Sequence, residues 1–321
     1  MNAGKPSASG AQLRIGTRRS PLALVQSGNV RAALAALHPG LEIEIETIRT
    51  SGDRFIDRDL SAIGGKGLFT KEIEEALIAG RIDIAVHSMK DVPTWLPDGL
   101  GIFCLLERED PRDVFISAVA SSLGGLGSGA TVGTASLRRK AQILNSRPDL
   151  VVVPLRGNVH TRIEKIERGE ADATLLALAG LKRLGIAEGA GTVLATEEML
   201  PAVGQGAIGI ECRAEDARVR ELIAPLNHAP TVARVTAERS ALAALDGSCR
   251  TPIAALAEFE GADEGDGAGA LALKVLIAKP DGSVLFDTRR RGPAAAAEAM
   301  GRDAGEELRK TAGPGFFDAG D

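Results

Sequence analysis

Apolar and polar positions follow two alternating patterns from about Leu13 to Leu194. Short apolar or strictly alternating runs predict strands, whereas apolar residues recurring every three or four positions predict amphipathic helices. The strands are predicted at 13–16, 42–46, 113–117, 131–133, 151–154 and 173–177, with another beginning at Ile84. The helices are predicted after Ser20 and at 69–79, 136–146 and 158–168. Strands that alternate with helices in this way indicate an α/β fold, here in two successive units.

The pattern changes near residue 200. A strand at 206–211 is expected to return to the earlier sheet, followed by a helix at 231–245, strands at 253–260, 271–278 and 283–291, and a helix at 294–309. This part predicts a smaller α+β domain. A chain of 321 residues is also long for one core. We expect a first domain at 12–106 with 206–226, a second at 107–205, a third at 227–313, and flexible tails at 1–11 and 314–321.

The first predicted helix has a clear beginning. Ser20 is a favourable N-cap and Pro21 suits the first helical position. Its spacing predicts a buried face made of Leu22, Val25, Val30, Ala33, Leu34 and Leu37.

Composition and charge exclude several classes of function. The net charge of −5, 3% aromatic residues and no tyrosine argue against a nucleic-acid partner. No apolar run reaches the roughly 18 residues of a membrane span, and the first residues lack a signal-peptide core, so a cytoplasmic location is expected. Three scattered cysteines and four histidines show no disulfide framework and no metal-ligand spacing.

Polar residues follow the predicted strand that begins at Ile84. Ser88, Lys90 and Asp91 come at its carboxyl end, and Pro93 prevents the strand from continuing. Open α/β sheets bind ligands at this edge. The alternative is that Asp91 only caps a turn before the proline.

Three strand-to-helix junctions combine hydroxyl or amide side chains with arginines. They contain Arg18 and Ser20; Thr134, Ser136, Arg138 and Arg139; and Arg156, Asn158 and Arg162. Helix N-terminal amides and guanidinium groups both favour carboxylates or phosphates. One such junction alone is commonly a capped helix with surface arginines, but three in an acidic protein favour a polyanionic ligand.

Other motifs are less informative. The glycines at 204–209 match the dinucleotide pattern but precede a strand, so their context is wrong for nucleotide binding. The glycines around Lys66 lack the remainder of a P-loop and offer one lysine to an anion. Cys249 lies in a loop beside Arg250, where a thiol is accessible, although an incidental thiol explains it equally well.

Together these segments closely resemble the porphobilinogen deaminase family, also called the hydroxymethylbilane synthases. The resemblance covers about Leu13 to Arg309. Its motifs are RRSPLAL at 18–24, GGKGLF at 64–69, VHSMKDVP at 86–93, REDPRD at 108–113, SLRR at 136–139, LRGN at 155–158, LAGLKRLG at 178–185 and LPAVGQG at 200–206.

The resemblance implies two periplasmic-binding-protein-like α/β domains and a smaller α+β C-terminal domain. It implies a transferase of porphyrin and haem biosynthesis that condenses four porphobilinogen molecules head to tail, releases ammonia, and frees linear hydroxymethylbilane with water. The implied cofactor is dipyrromethane, held through a thioether to the residue matching Cys249. Porphobilinogen is then the small-molecule partner, with no membrane or nucleic acid involved, and the family's habit suggests a monomer.

The resemblance also implies roles for individual residues. Asp91 matches the catalytic carboxylate that stabilises positive charge on the pyrrole nitrogens. The positions matching cofactor contacts are Ser88, Lys90, Thr134, Ser136, Arg138, Arg139, Lys66 and Arg183. The positions matching substrate contacts are Arg18, Ser20, Arg156 and Arg162. Two residues depart from the family pattern: Ala62 replaces a frequent lysine, and Ser248 replaces a frequent glycine.

Two other functions fit the same residues. A non-catalytic organic-acid-binding protein would also use an arginine-lined cleft between two α/β lobes, but it would need neither Asp91 nor Cys249. Another pyrrole or amine lyase on the same scaffold would differ in its product.

Overall fold

The computed structural model describes residues 12–51, 70–246, 251–261 and 269–317. Its strands are β1 (Gln12–Arg18), β2 (Glu42–Ile48), β3 (Ile84–Ser88), β4 (Leu100–Leu105), β5 (Asp113–Ser117), β6 (Thr131–Gly133), β7 (Val151–Val153), β8 (Ala173–Ala177), β9 (Thr192–Val193), β10 (Ile208–Arg213), β11 (Ile253–Phe259), β12 (Ala270–Ala278) and β13 (Leu285–Pro293). Its helices are α1 (Pro21–Leu37), α2 (Lys71–Ile78), α3 (Leu137–Ser146), α4 (Val159–Glu167), α5 (Leu178–Arg183), α6 (Ala217–Ile223), α7 (Ala229–Ala244) and α8 (Ala297–Ala312).

The first unit is built on a sheet with the strand order β2-β1-β3-β10-β4. Strands β1, β2 and β3 are parallel, and β10 lies antiparallel between β3 and β4. Leu13, Ile15, Ile84, Val86 and Ile210 are buried in its core. The central strand β3 is covered on both faces and is buried from Ile84 to His87, whereas the edge strand β2 alternates isoleucine with exposed or half-buried glutamate.

The second unit repeats this arrangement with the order β7-β6-β8-β5-β9. Strands β6, β7 and β8 are parallel, and β5 lies antiparallel between β8 and β9. In both units the inserted antiparallel strand is the one that follows a crossover from the other unit, β10 in the first and β5 in the second. The carboxyl end of β3 lies beside the crossover that returns to the first unit, since Met89 N donates to Ala207 O at 3.0 Å.

The two crossovers, 106–112 and 194–207, pack against each other. Glu109 N donates to Gly206 O at 3.3 Å. Gly206 has φ +88°, and a Cβ at this position would overlap the carbonyl of Glu109. The close approach of two backbone segments thus requires glycine at position 206.

The C-terminal unit, residues 229–317 where described, packs α7 and α8 on the antiparallel sheet β11-β12-β13. Its core includes Ala237, Val275, Met300 and Leu308. Residues 314–317, predicted to belong to a flexible tail, instead form a turn whose Phe316 is only 8% exposed. Phe316 packs on Phe286 with ring centroids 5.6 Å apart, so burial of an aromatic ring orders this segment.

The predicted fold class is confirmed: two α/β units with the same sheet order, followed by a smaller α+β unit. Strands β5, β6 and β8 have their predicted bounds. The strands β4 and β9 and the short helices α5 and α6 were not predicted. Within the described residues, no helix has the length and hydrophobicity needed to cross a membrane.

Candidate active site

The chain turns sharply where β3 ends. Residues Met89–Asp91 form one turn of 3-10 helix, closed by Val92 N donating to Met89 O at 3.2 Å. Met89 and Val92 are buried, whereas Lys90 and Asp91 are half-buried. The apolar residues therefore anchor the turn, and the ammonium and carboxylate groups are left at the edge of the sheet that was predicted to bind a ligand.

Asp91 lines a small cavity at this edge. The cavity is also lined by residues from β1, α1 and β3, among them Arg18, Ser20, Gln26 and Ser88. Ser20 is the N-cap of α1, and its hydroxyl accepts a hydrogen bond from Ala23 N at 3.3 Å. The structure thus brings together the predicted residues of the β1–α1 and β3 junctions.

Gln26 is a site residue that the sequence pattern missed. It is 3% exposed, and its Nε2 donates to Ser88 Oγ at 2.9 Å. The signal was present in the sequence, because Gln26 lies one turn from both Leu22 and Val30 of the predicted buried face of α1. Helical spacing alone does not tell a buried glutamine from an exposed one.

Lys90 faces the second unit across the cleft. Burial lowers the pKa of Lys90 to about 8. The negative charge of Asp91 raises this pKa, and the positive charge of Arg139 lowers it further. Among the described residues, Lys90 has no hydrogen-bond or ion-pair partner. A half-buried ammonium group without a counter-ion suits an anionic ligand.

Arg138 and Arg139 begin α3 and are both buried. Ser136 is the N-cap of this helix, and Thr134 Oγ1 accepts a hydrogen bond from Ser136 N at 3.1 Å. The two guanidinium groups share one carboxylate, Asp113: Arg138 Nη2 lies 2.7 Å from Oδ2 and Arg139 Nη2 lies 2.8 Å from Oδ1. Two cations therefore share one anion, and the cluster keeps a positive charge.

Asp113 is fully buried at the start of β5. Burial would raise the pKa of this carboxyl group, but the charges and hydrogen bonds of Arg138 and Arg139 outweigh it and hold the pKa well below its usual range. Gln205 Nε2 also donates to Asp113 Oδ1 at 2.9 Å. This anchoring role was missed, although an aspartate at the head of an apolar strand is itself unusual.

The junction after β7 adds further cations. Asn158 is the N-cap of α4 and accepts a hydrogen bond from Thr161 N at 2.9 Å. Arg162 Nε donates to Gly157 O at 3.0 Å. Burial, with the charges of Arg139 and Arg156, lowers the pKa of Arg162 to about 10, while the charge of Asp91 opposes the shift. Arg162 is thus electrostatically coupled to both sides of the cleft.

Arg183 lies at the end of α5, beside the crossover. Its Nη2 donates to Gly206 O at 2.7 Å, and burial lowers its pKa. Arg183 therefore links the second unit to the returning crossover. The predicted contact of Arg183 with a cofactor stays a prediction. Lys66 and Cys249, the other predicted cofactor residues, lie outside the described residues.

Within residues 12–51, 70–246, 251–261 and 269–317, no cluster of three or more His, Cys, Asp or Glu side chains could hold a metal ion. Cys104 and Cys212 are buried, and burial raises the pKa of their thiols to about 12 and about 11. These thiols are therefore protonated and unreactive at neutral pH.

A buried network connects the cleft to the C-terminal unit. The side chain of Gln205 contacts Asp113, and the backbone carbonyl of Gln205 accepts a hydrogen bond from Arg108 Nε at 2.8 Å. Arg108 Nη1 lies 2.6 Å from Oε1 of Glu238 on α7. Glu238 in turn accepts hydrogen bonds from the backbone N–H groups of Gly204 and Ala257. Both crossovers and the third unit are therefore held by the same set of buried polar groups.

Among the described residues, the cations of this cleft outnumber the carboxylates of Asp91 and the buried Asp113, which defines a site for a ligand with several acid groups. The model for "Porphobilinogen deaminase, dipyromethane cofactor binding domain" matches residues 13–221, and the model for the C-terminal domain of porphobilinogen deaminase matches residues 232–310. The chain therefore belongs to the porphobilinogen deaminase family, which consists of transferases of tetrapyrrole biosynthesis, as the sequence motifs predicted.

Individual relatives agree with this assignment. The porphobilinogen deaminase of Nitrobacter winogradskyi is 57% identical over 305 residues, covering 94% of each chain. The chloroplastic porphobilinogen deaminase of Oryza sativa subsp. japonica is 54% identical over 313 residues, covering 96% of this chain and 86% of the relative. The family assignment does not rest on similarity to solved structures; one of these, a mutant of the OxyR2 regulatory domain from Vibrio vulnificus, has a TM-score of 0.41 at 15% identity, covering 70% of this chain and 100% of that chain.

Proposed function

We propose that this protein joins four porphobilinogen molecules head to tail, releases one ammonia for each, and frees linear hydroxymethylbilane by hydrolysis. The observation that carries this proposal is a half-buried carboxylate, Asp91, that shares its cleft with the half-buried cations Lys90 and Arg162. Each porphobilinogen carries an acetate and a propionate group on a pyrrole ring. Such a substrate needs cations for its acids and an anion for its ring nitrogen.

Lys90 and Arg162 support the binding of substrate or cofactor acids. Within the described part of the chain, Lys90 has no counter-ion, and the guanidinium group of Arg162 donates only through its Nε, to Gly157 O. Each cation is buried enough for its pKa to be lowered. A carboxylate placed between them would restore the electrostatic stabilisation that burial removes. We assign Arg18, Ser20 and Arg156 to the same ligand because their junctions open on this cleft.

The donor set fits the dipyrromethane cofactor that the family model names. When bound, dipyrromethane supplies the terminal pyrrole carbon to which the first substrate unit is joined. We propose that Ser88, Lys90, Thr134, Ser136, Arg138 and Arg139 hold its acid groups, with Lys66 and Arg183 as further contacts and Cys249 as its attachment. To other described residues, Arg139 donates three of its five side-chain N–H groups, on Asp113 and Leu175 O, which leaves two for a ligand.

Asp91 supports charge stabilisation at the reacting ring. Deamination breaks the bond between the aminomethyl carbon and its nitrogen, and ammonia leaves with the electron pair. Positive charge then resides on the pyrrole nitrogen, and again after the new carbon–carbon bond forms, until the ring carbon loses its proton. A fixed carboxylate beside the ring N–H groups lowers the energy of both cations and can move that proton. Within the described residues, Asp91 accepts no hydrogen bond, so its oxygens are available for this role.

The mass of the intact protein tests this proposal. Protein purified from a host that makes porphobilinogen should carry a dipyrromethane adduct that maps to Cys249. Added porphobilinogen should give further mass increments of one pyrrole unit each, with ammonia release. An unmodified mass, together with reversible binding of organic acids, would instead support a non-catalytic binding protein.

A cytoplasmic location and a monomeric state remain predictions of this proposal. The relative from Oryza sativa is chloroplastic, so the compartment differs between members of the family. Light scattering of the purified protein measures its oligomeric state, and cell fractionation measures its location.

A further inference from the structure

The helix α7 contacts the turn that carries Asp91. Arg239, in the last turns of α7, extends to the first unit, where its Nη1 donates to Val92 O at 3.0 Å and its Nη2 donates to Pro93 O at 2.6 Å. These two carbonyls come directly after Asp91 in the chain. A guanidinium fork that binds two consecutive carbonyls fixes the direction of the backbone between them.

Arg239 has no carboxylate partner among the described residues. Burial lowers its pKa, and no neighbouring acid opposes that effect. A buried arginine is commonly paired with an acid. Arg108, for example, pairs with Glu238, the residue that precedes Arg239 on α7. Here the two backbone carbonyls of Val92 and Pro93 take the place of an acid.

Apolar packing on the same side of α7 supports this contact. Val235, one helical turn before Arg239, is buried in one cluster with Met89 and Val92. Met89 and Val92 are the two buried residues that bracket Lys90 and Asp91 in the turn. The helix therefore contacts the turn on both its side chains and its backbone.

The same helix leads toward the predicted attachment point of the cofactor. α7 ends at Ala244, and the chain reaches Cys249 five residues later, outside the described residues. One rigid helix thus joins the segment that would anchor the cofactor to the turn that carries Asp91. An α-helix holds such a separation because its backbone hydrogen bonds are internal.

We infer that Arg239 is a positioning residue that holds the carboxylate of Asp91 in place through the backbone carbonyls of Val92 and Pro93. This inference rests on the proposed function, since it assumes that Asp91 acts on the substrate. Arg239 itself does not contact the reacting atoms. Its loss should lower kcat while leaving the cations that bind the substrate, and therefore KM, nearly unchanged.

The test compares Arg239→Met, Arg239→Lys and the control Arg302→Met, an exposed arginine on α8. A displacement of about 1 Å at a reacting group typically costs on the order of 100-fold in rate. We expect kcat to fall on the order of 10- to 100-fold in Arg239→Met, with KM for porphobilinogen within about twofold. Arg239→Lys keeps the charge but not the fork, so its kcat should lie between those of Arg239→Met and the wild type. Arg302→Met should be unchanged.

Hydrogen exchange separates this inference from the proposed function. In Arg239→Met, exchange at residues 89–96 should become faster, with wild-type exchange in the cores of the first and second units. This measurement needs no turnover, so it remains valid even if the wild-type protein makes no hydroxymethylbilane.

Two results would overturn the inference. One is a wild-type kcat in Arg239→Met or, if that variant does not fold, in Arg239→Lys. The other is a loss of activity that follows cofactor content or global unfolding, with no local change in exchange at residues 89–96.

Discussion

Two adjacent residues, Lys90 and Asp91, carry opposite charges at the end of the same strand, and the structure gives them different surroundings. Lys90 lies in the field of Arg138 and Arg139, which adds to the effect of burial. Asp91 lines the cavity beside Arg18 and Ser20. One residue is thus placed to bind an acid and the other to stabilise a cation, although both belong to one turn of 3-10 helix.

Replacing the carboxylate of Asp91 by an amide tests its role directly. Asp91→Asn keeps the size and shape of the side chain but removes the charge that stabilises the pyrrole cation. We expect the cofactor to be retained and kcat to fall on the order of 100- to 1,000-fold, as when one preorganised group is removed. Ammonia release under saturating porphobilinogen measures the effect. Asp98→Asn, an exposed aspartate seven residues later, is the matched control, and near-normal turnover of Asp91→Asn would refute the assigned role.

The lowered pKa of Lys90 predicts a pH dependence of substrate binding. Its pKa of about 8 means that the group is charged below pH 8 and becomes neutral as the pH rises through that value. Because a carboxylate binds the charged form, KM for porphobilinogen should increase between about pH 7 and pH 9. Lys90→Arg keeps its charge throughout this range, so the part of the increase due to Lys90 should disappear. An identical KM profile for both proteins would show that Lys90 does not contribute.

At the scale of the elements, the packing of the two crossovers against each other depends on backbone conformation as much as on side chains. Gly206 combines φ +88° with direct contact to the backbone of Glu109. Any side chain there must both adopt a left-handed conformation and displace the neighbouring crossover. A substitution of Gly206 therefore causes both backbone strain at that residue and a steric clash with the other crossover.

Gly206→Ala should be more destabilising than a comparable glycine substitution without a clash. Gly40 has nearly the same conformation, φ +89°, but nothing lies near the Cβ position. We expect Gly40→Ala to cost about 1 kcal/mol of unfolding free energy from backbone strain alone. Gly206→Ala should cost at least about 2 kcal/mol more because backbone atoms cannot move aside easily. Urea denaturation measures both, and equal losses would show that the crossovers separate without cost.

Periodicity predicted most of these elements because their buried faces are apolar. It was less successful where a polar group is buried. In α1 the predicted face included Leu37, which is 46% exposed at the helix end, and omitted Gln26, which is buried against Ser88. The strand β4 has no alternating pattern and follows a turn at Pro97, so spacing alone did not show it.

The same limit applies to the site. Motifs located the three arginine-bearing junctions and the turn after β3, and the structure places them around one cleft. They did not show that Asp113 binds Arg138 and Arg139, or that Arg239 extends from another unit to this turn. Those pairings join residues that are far apart in sequence, and they depend on how whole units pack.

At the scale of the whole molecule, the fully buried Asp113 connects several parts of the fold. It binds two arginines of α3 and a glutamine of the returning crossover, and that crossover is tied through Arg108 to Glu238. The second unit, both crossovers and the C-terminal unit therefore share one buried network. The stability of the whole protein should therefore depend on each charged group of this network.

Asp113→Asn should destabilise the protein strongly. It leaves two buried guanidinium groups without their anion, and breaking a buried ion pair in this way typically costs about 3–5 kcal/mol. Since the folded pKa of Asp113 lies below the ordinary 3.8, its contribution is complete above about pH 4 and is lost as the pH falls further. Thermal unfolding of the variant and the wild type should therefore differ at pH 7 and converge in acid. Asp149→Asn, which breaks an exposed pair with Arg147, should have a much smaller effect.

The position of β10 also constrains the order in which the chain can fold during synthesis. β10 lies between β3 and β4, yet it is made only after the whole of the second unit, whose strands lie between residues 113 and 193. Until residue 213 has left the ribosome, β3 has β1 on one side and an unpaired edge on the other. The second unit, in contrast, is continuous in sequence and can close its sheet first. The strand that precedes Asp91 thus gains its last neighbour late, after about two thirds of the 321 residues have been translated.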